Sequence, residues 1–120
     1  MVAPLSFFAV DRPAKAPLML NINGDSLAGD IAAALKAGQL IFLTDVNGIK
    51  DINGNLLSKL NKIEAQALID SGIAAGGMIP KINGSLKIIA VGGKAYIIDG
   101  RKPRALLNAV ENGIAGTIIQ

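Results

Sequence analysis

The chain has no histidine, no cysteine and no tryptophan, and its 120 residues include one tyrosine and three phenylalanines. Without histidine or cysteine there is no Cys/His zinc site, no thiol nucleophile, no Ser-His-Asp triad and no disulfide framework. Chemistry must therefore run on Asp, Lys, Ser/Thr, Asn, backbone N–H groups or a bound metal. The scarcity of aromatics removes any platform for stacking bases. The net charge of +3 is small, and only Arg101-Lys102-Pro103-Arg104 forms a basic cluster. Nucleic acid is not an expected partner. Long hydrophobic runs are also missing: Leu40-Ile41-Phe42-Leu43 is far too short to span a bilayer, so no membrane partner is expected. Met1 to Val10 has no basic region before its apolar residues, which argues against a signal peptide. A cysteine-free chain fits a cytoplasmic location.

What is present is apolar residue in ordered patterns. Hydrophobic residues make up 51% of a chain long enough for one domain with a real core. Asp25 is suited to cap a helix running through Ile31-Ala32-Ala33-Ala34-Leu35, with Gly38 as its stop. Leu40 to Thr44 reads as a buried strand, and Asp51-Ile52-Asn53-Gly54-Asn55 as a hairpin turn. Ile63, Ala67 and Leu68 form a helical stripe between Asn61 and Ser71. Ile79, Ile82, Leu86 and Ile89 mark another amphipathic helix, in which Asn83-Gly84 costs roughly 1 kcal/mol against good helix formers. Ala95 to Ile98 reads as a strand closed by Asp99-Gly100. Pro103 suits the first turn of a helix reaching about Asn108, and Gly116 to Ile119 is a closing strand. Ile-Asn-Gly recurs at 22–24, 52–54 and 82–84, but at a strand end, in a hairpin and inside a helix, so it is no repeat. The alternation predicts an α/β fold with a largely parallel sheet covered on both faces.

Three polar segments lie beside predicted strand ends. Asn21-Ile22-Asn23-Gly24-Asp25 brings two amides and a carboxylate to a helix N-terminus, as a polar-ligand site or as a plain capped strand end. Thr44-Asp45-Val46-Asn47-Gly48 follows a buried strand, where open α/β sheets bind ligands; a simple polar turn fits equally. Gly76-Gly77-Met78-Ile79-Pro80-Lys81 opens a helix with two glycines and a lysine one turn in, suited to a phosphate or merely to a helix start. It is not a Walker A loop.

In order and spacing these segments, with Ile97-Ile98-Asp99-Gly100-Arg101 and Gly116-Thr117-Ile118-Ile119, resemble the C-terminal half of the acetylglutamate kinases, in the amino acid kinase family. The resemblance runs from Val2-Ala3-Pro4 nearly to the end. It implies a three-layer αβα sandwich with a mainly parallel sheet, of the carbamate kinase type, of which this chain is a part. It also implies transfer of the γ-phosphoryl group of ATP to the carboxylate of N-acetyl-L-glutamate in arginine biosynthesis. Mg²⁺ would be carried by the nucleotide rather than by a protein metal site. By residue match Lys81 stabilises the transferring phosphoryl group and Asp25 organises the lysines. Asn21 and Asn23 contact the acylated amino acid. Thr44, Asp45, Gly48, Gly76, Gly77 and Met78 line the nucleotide.

The segment Ser6 to Leu20, with Asp11-Arg12-Pro13-Ala14-Lys15, departs from the family's pattern, as does Asn83-Gly84. The Lys-x-Gly-Gly loop of the family's N-terminal half does not occur here. Residues 1–120 are accordingly expected to be the ATP-binding part, with the acceptor-binding part absent, and inactive alone. Other acceptors stay open at this point: aspartate, glutamate, aminoadipate or a nucleoside monophosphate. So does a non-catalytic assembly unit that forms a homo-oligomer through an exposed sheet edge.

Overall fold

The computed structural model describes residues 5–9, 18–113 and 115–120. Strand β1 (Leu5–Ala9) pairs antiparallel with β2 (Leu18–Ile22), with Ser6 opposite Asn21. Helix α1 (Gly24–Ala34) and strand β3 (Gln39–Thr44) follow, then the short strand β4 (Lys59–Leu60) and helix α2 (Lys62–Asp70). The chain continues through α3 (Met78–Ala90), β5 (Lys94–Asp99), α4 (Ala105–Asn112) and β6 (Gly116–Ile119). The segment Asp11–Lys15, where the sequence departs from the family's pattern, lies outside the described residues.

The four later strands form one sheet in the order β3-β5-β6-β4. β3 runs parallel to β5 and β4 parallel to β6, whereas β5 and β6 are antiparallel. The sheet is thus mainly parallel, as expected, with one reversed junction. β5 explains why its sequence is continuously apolar. Ala95 and Ile97 face the core shared with Phe42, Ala65, Ile82, Ile88 and Ile119, while Tyr96 and Ile98 pack with Ala109 of α4. Helices cover both faces, so both sides of the strand are buried. Ile82, Ile88, Ile97 and Ile119 are completely buried, each contributing about 1.5–3 kcal/mol by transfer from water.

Helix α2 starts where the sequence says it should. Asn61 accepts from the Glu64 N–H at 2.9 Å, and the Glu64 carboxylate accepts from the Asn61 N–H at 2.8 Å. This reciprocal capping satisfies two otherwise orphaned donors. Two other boundaries differ from expectation. The cap of α1 is Asn23, not Asp25: the Asn23 side-chain oxygen accepts from the N–H groups of Asp25 at 2.9 Å and Ser26 at 3.2 Å. α4 begins at Ala105 rather than at Pro103 and reaches Asn112, because Arg104 adopts a left-handed conformation (φ 57°) that interrupts the turn.

The α1–α3 seam gives Gly84 a purpose that helix propensity misses. A Cβ added to Gly29 would overlap the backbone of Gly84, and one added to Gly84 would lie 2.9 Å from the Asp25 carbonyl oxygen. The two helices therefore approach closely enough that only hydrogen fits between them, and the loss in helix propensity is offset by the contact.

Candidate active site

The seam sets the direction of both helices. Asp25 meets Lys81, Gly29 meets Gly84 and Asp30 meets Lys87, so α1 and α3 run parallel. At the far end the Lys94 N–H donates to the Gly38 carbonyl at 3.0 Å, and Gly93 packs on Ala37. Their C-termini thus lie where β3 and β5 begin, and their N-termini lie at the carboxyl ends of those strands. Two helix N-termini at the carboxyl edge of a parallel sheet concentrate positive potential there.

Lys81 and Asp25, both assigned by resemblance, come together. The Lys81 Nζ donates to Asp25 Oδ2 at 2.9 Å and to the Gly77 carbonyl at 3.3 Å. An ammonium has three N–H donors, so one remains for a further acceptor. The pair is half-buried, with side chains 20% and 31% exposed. Because Asn23 takes the capping role, the Asp25 carboxylate is released to reach across to α3. Asn23 keeps its amide N–H₂ free of the cap, and Asn21 lies in β2.

Gly76, Gly77 and Met78 form the entry to α3. Gly76 has φ 56°, Gly77 occupies the cap position, and no side chain caps the helix there. The Met78 and Ile79 N–H groups turn back to the Ala75 and Gly76 carbonyls at 3.2 and 3.3 Å and Pro80 has none, so the entry offers a bare glycine backbone and the helix dipole rather than a ring of free donors.

The third group follows β3. Thr44 does not offer its hydroxyl outward. The proton lies between the carbonyl oxygens of Val46 at 2.8 Å and Ile98 at 3.1 Å, and the oxygen accepts from the Val46 N–H at 3.1 Å. Asp45 is exposed beyond it. Gly48 is buried, with φ 146°, and its Cα packs against Thr117 and Leu56. Thr44 and Gly48 shape the loop, and no hydrogen bond joins this group to Lys81 among the described residues.

Asp99 and Arg101, at the end of β5, form a definite arrangement. Asp99 accepts from the Arg101 Nε at 2.9 Å, its Nη2 at 2.8 Å and its backbone N–H at 3.0 Å. The side-chain hydrogen bonds from Arg101 hold the Asp99 carboxyl down at about 2. The guanidinium is raised in turn, first by the hydrogen bonds to Asp99, and Asp45 adds to the effect. An acid ending a buried strand, two residues before an arginine, is the signal that would have found them.

A cavity of about 320 Å³ lies elsewhere, on the α4 face, lined by Gln39, Ser58, Tyr96, Ala109 and Ile118 among others. None of the candidate residues lines it. Among the described residues no helix is long and apolar enough to cross a membrane, and no three His, Cys, Asp or Glu side chains form a metal-sized cluster.

Fold and site together define an open, three-layer α/β protein whose polar edge carries a lysine, a paired carboxylate and two helix N-termini. The sequence profile of the amino acid kinase family matches residues 2–99, and the chain belongs to that family. It is 45% identical over 119 residues to an acetylglutamate kinase of Dehalococcoides mccartyi strain CBDB1, a match that covers 99% of this chain and 44% of that protein. Among solved structures it is similar to smu.665 from Streptococcus mutans UA159, at 38% identity and a TM-score of 0.70, over 88% of this chain and 38% of the other. Carbamate kinase from Giardia lamblia bound to AMP-PNP shares the fold, with a TM-score of 0.69 at 24% identity over 85% of this chain and 34% of the other. The chain spans less than half the length of these relatives.

Proposed function

We propose that this chain forms the nucleotide-binding part of an acetylglutamate kinase, which phosphorylates the side-chain carboxylate of N-acetyl-L-glutamate with MgATP in arginine biosynthesis. The observation that carries the reading is the Lys81–Asp25 pair, 2.9 Å long, between the N-termini of α1 and α3. Identity of 45% to a relative named acetylglutamate kinase supports the choice of acceptor. The acceptor-binding part belongs, on this reading, to the length of the relatives that this chain does not span. A cytoplasmic location goes with it.

Phosphoryl transfer asks for positioning and positive charge more than for covalent chemistry, so a site without His or Cys suffices. Lys81 supplies the cation, directing its remaining N–H at a phosphoryl oxygen as charge spreads over the equatorial oxygens. Asp25 fixes the ammonium so that it need not reorganise during transfer. Gly76 and Gly77 let the phosphates approach the α3 backbone, with Met78 beside them. Asp45 flanks the nucleotide from a loop shaped by Thr44 and Gly48. Asn23, with Asn21 nearby in the chain, is assigned to the acylated amino acid. Mg²⁺ enters with the nucleotide as part of the substrate, screening the phosphate charge.

Calorimetric titration of the chain with MgADP tests this reading. Saturable binding is the expected result; no heat of binding up to millimolar ligand would overturn it.

A further inference from the structure

The hydroxyl of Thr117 is completely buried in β6, yet it touches only the segment that follows β3. Its oxygen accepts from the Ile49 N–H at 2.8 Å, and its proton goes to the Leu57 carbonyl at 2.6 Å. Those two groups flank the hairpin whose ends meet at the Lys50–Leu56 bridge, and Leu57 N–H donates back to the Ile49 carbonyl at 2.8 Å. Gly48, immediately before, leaves no room for a methyl: an added Cβ would lie 2.7 Å from the same hydroxyl. The near end of the segment is tied just as firmly, through Thr44 to Ile98. Asp45 and Asn47 project between two fixed points, one on β5 and one on β6.

We infer that Thr117 is a positioning residue for the nucleotide: it fixes the far end of the 45–57 segment, and so sets where Asp45 stands at the carboxyl edge of the sheet. The inference rests on the nucleotide-binding reading above and adds to it a residue remote in sequence from every candidate contact. A valine in place of Thr117 has nearly the same shape but leaves the Ile49 N–H and the Leu57 carbonyl buried without a partner. The segment relieves this by swinging outward to water about its anchor at Thr44, which turns the Asp45 to Gly48 stretch with it. Serine keeps the hydroxyl and loses only a methyl group.

The test compares the unsubstituted chain with Thr117→Val and Thr117→Ser by MgADP calorimetry and by amide hydrogen exchange. Thr117→Val is expected to weaken MgADP about tenfold, the scale of one lost buried hydrogen bond. It should also speed exchange at Ile49 while Ile97, in the middle of β5, stays protected. Thr117→Ser restores both. Thr117→Ala removes the same hydroxyl without valine's second branch and should reproduce the valine behaviour, which keeps the inference testable if Thr117→Val does not fold. Equal MgADP affinity for Thr117→Val and the unsubstituted chain overturns the positioning role alone. Loss of protection at Ile97 together with Ile49 overturns it too, because the effect is then general unfolding. An unsubstituted chain that binds no MgADP removes the nucleotide reading and this inference with it.

Discussion

Two ion pairs stand at the polar edge of this molecule, and they are built in opposite ways. Lys81 and Asp25 come from different helices, 56 residues apart, and share one hydrogen bond of 2.9 Å. Arg101 and Asp99 are two residues apart, and the carboxylate receives three hydrogen bonds from one partner. Asp99 is 5% exposed, and its oxygens are engaged; Lys81 retains a free donor. A saturated local pair holds a turn in shape and has little left to offer a ligand. A long-range pair with spare valence can be shared with an incoming anion. The difference assigns Lys81 to chemistry and Asp99 to architecture, although both carboxylate contacts are about equally short.

The largest expected effect follows from that assignment. In an enzyme spanning the full length of the relatives, Lys81→Ala should lower turnover by roughly a hundredfold or more, the scale for removing one preorganised charge-stabilising donor. Apparent KM values should change far less, since the charge acts on the transition state. Steady-state kinetics with varied MgATP and acceptor would read this directly. A variant whose KM rises while kcat holds would move Lys81 from transition-state stabilisation to plain binding. Arg101→Met in the same enzyme should leave kcat close to that of the parent. A collapse of kcat there would break the comparison from the other side.

The next effect concerns the seam that makes the long-range pair feasible. Gly29→Ala forces a methyl into the Gly84 backbone, and overpacking of this kind costs about 1–3 kcal/mol. Thermal unfolding followed by circular dichroism should show Tm lowered by several degrees. Gly24→Ala meets nothing within 4 Å and serves as the control.

How much of the fold can be read from the sequence is a matter of range. β5 is legible because a strand buried on both faces leaves an unbroken apolar run, Ala95 to Ile98. α2 is legible because Asn61 and Glu64 cap it within four consecutive residues. The direction of β6 is not, since a strand of four residues, Gly116 to Ile119, carries no local signal of which way it pairs. Asn23 and Asp25 are both good caps, so local chemistry cannot choose between them. Only the position of Lys81, set by the fold, gives Asp25 something else to do. Gly84 looked like a defect for the same reason, because its partner Gly29 is far away in the chain. The candidate residues Lys81 and Asp25 were visible through family resemblance, but the seam that joins them was not.

A smaller effect separates the pairs by pH. The Asp99 carboxyl is lowered from its ordinary 3.8 to about 2 by the Arg101 hydrogen bonds. A group with a depressed folded-state pKa contributes stability that is present above the unfolded value and lost as pH falls through the folded one. Urea unfolding midpoints should therefore fall between about pH 4 and pH 2, beyond the decline shared by all carboxylates. Arg101→Met should remove that extra part of the decline. If the variant and the parent lose stability in parallel over this range, the pair is weaker in solution than its geometry implies.

The smallest effect comes from the other ion pair on the α1–α3 seam. Lys87 and Asp30 are 2.7 Å apart, closer than Lys81 and Asp25, but their side chains are 40% and 58% exposed. Solvent screens such a pair, and a double-mutant cycle with Lys87→Ala and Asp30→Ala should give a coupling of about 0.2–1 kcal/mol, smaller at high salt. The same cycle on Lys81 and Asp25 should give a stability coupling only modestly larger, since that pair is still partly exposed. What distinguishes the two lysines is where they stand. Lys87 lies in the last turn of α3, where its charge complements the helix dipole, whereas Lys81 sits in the first turn, where a cation is unfavourable unless an anion accompanies it. In the enzyme of full length Lys87→Ala should therefore leave turnover unchanged, and Lys81→Ala should not.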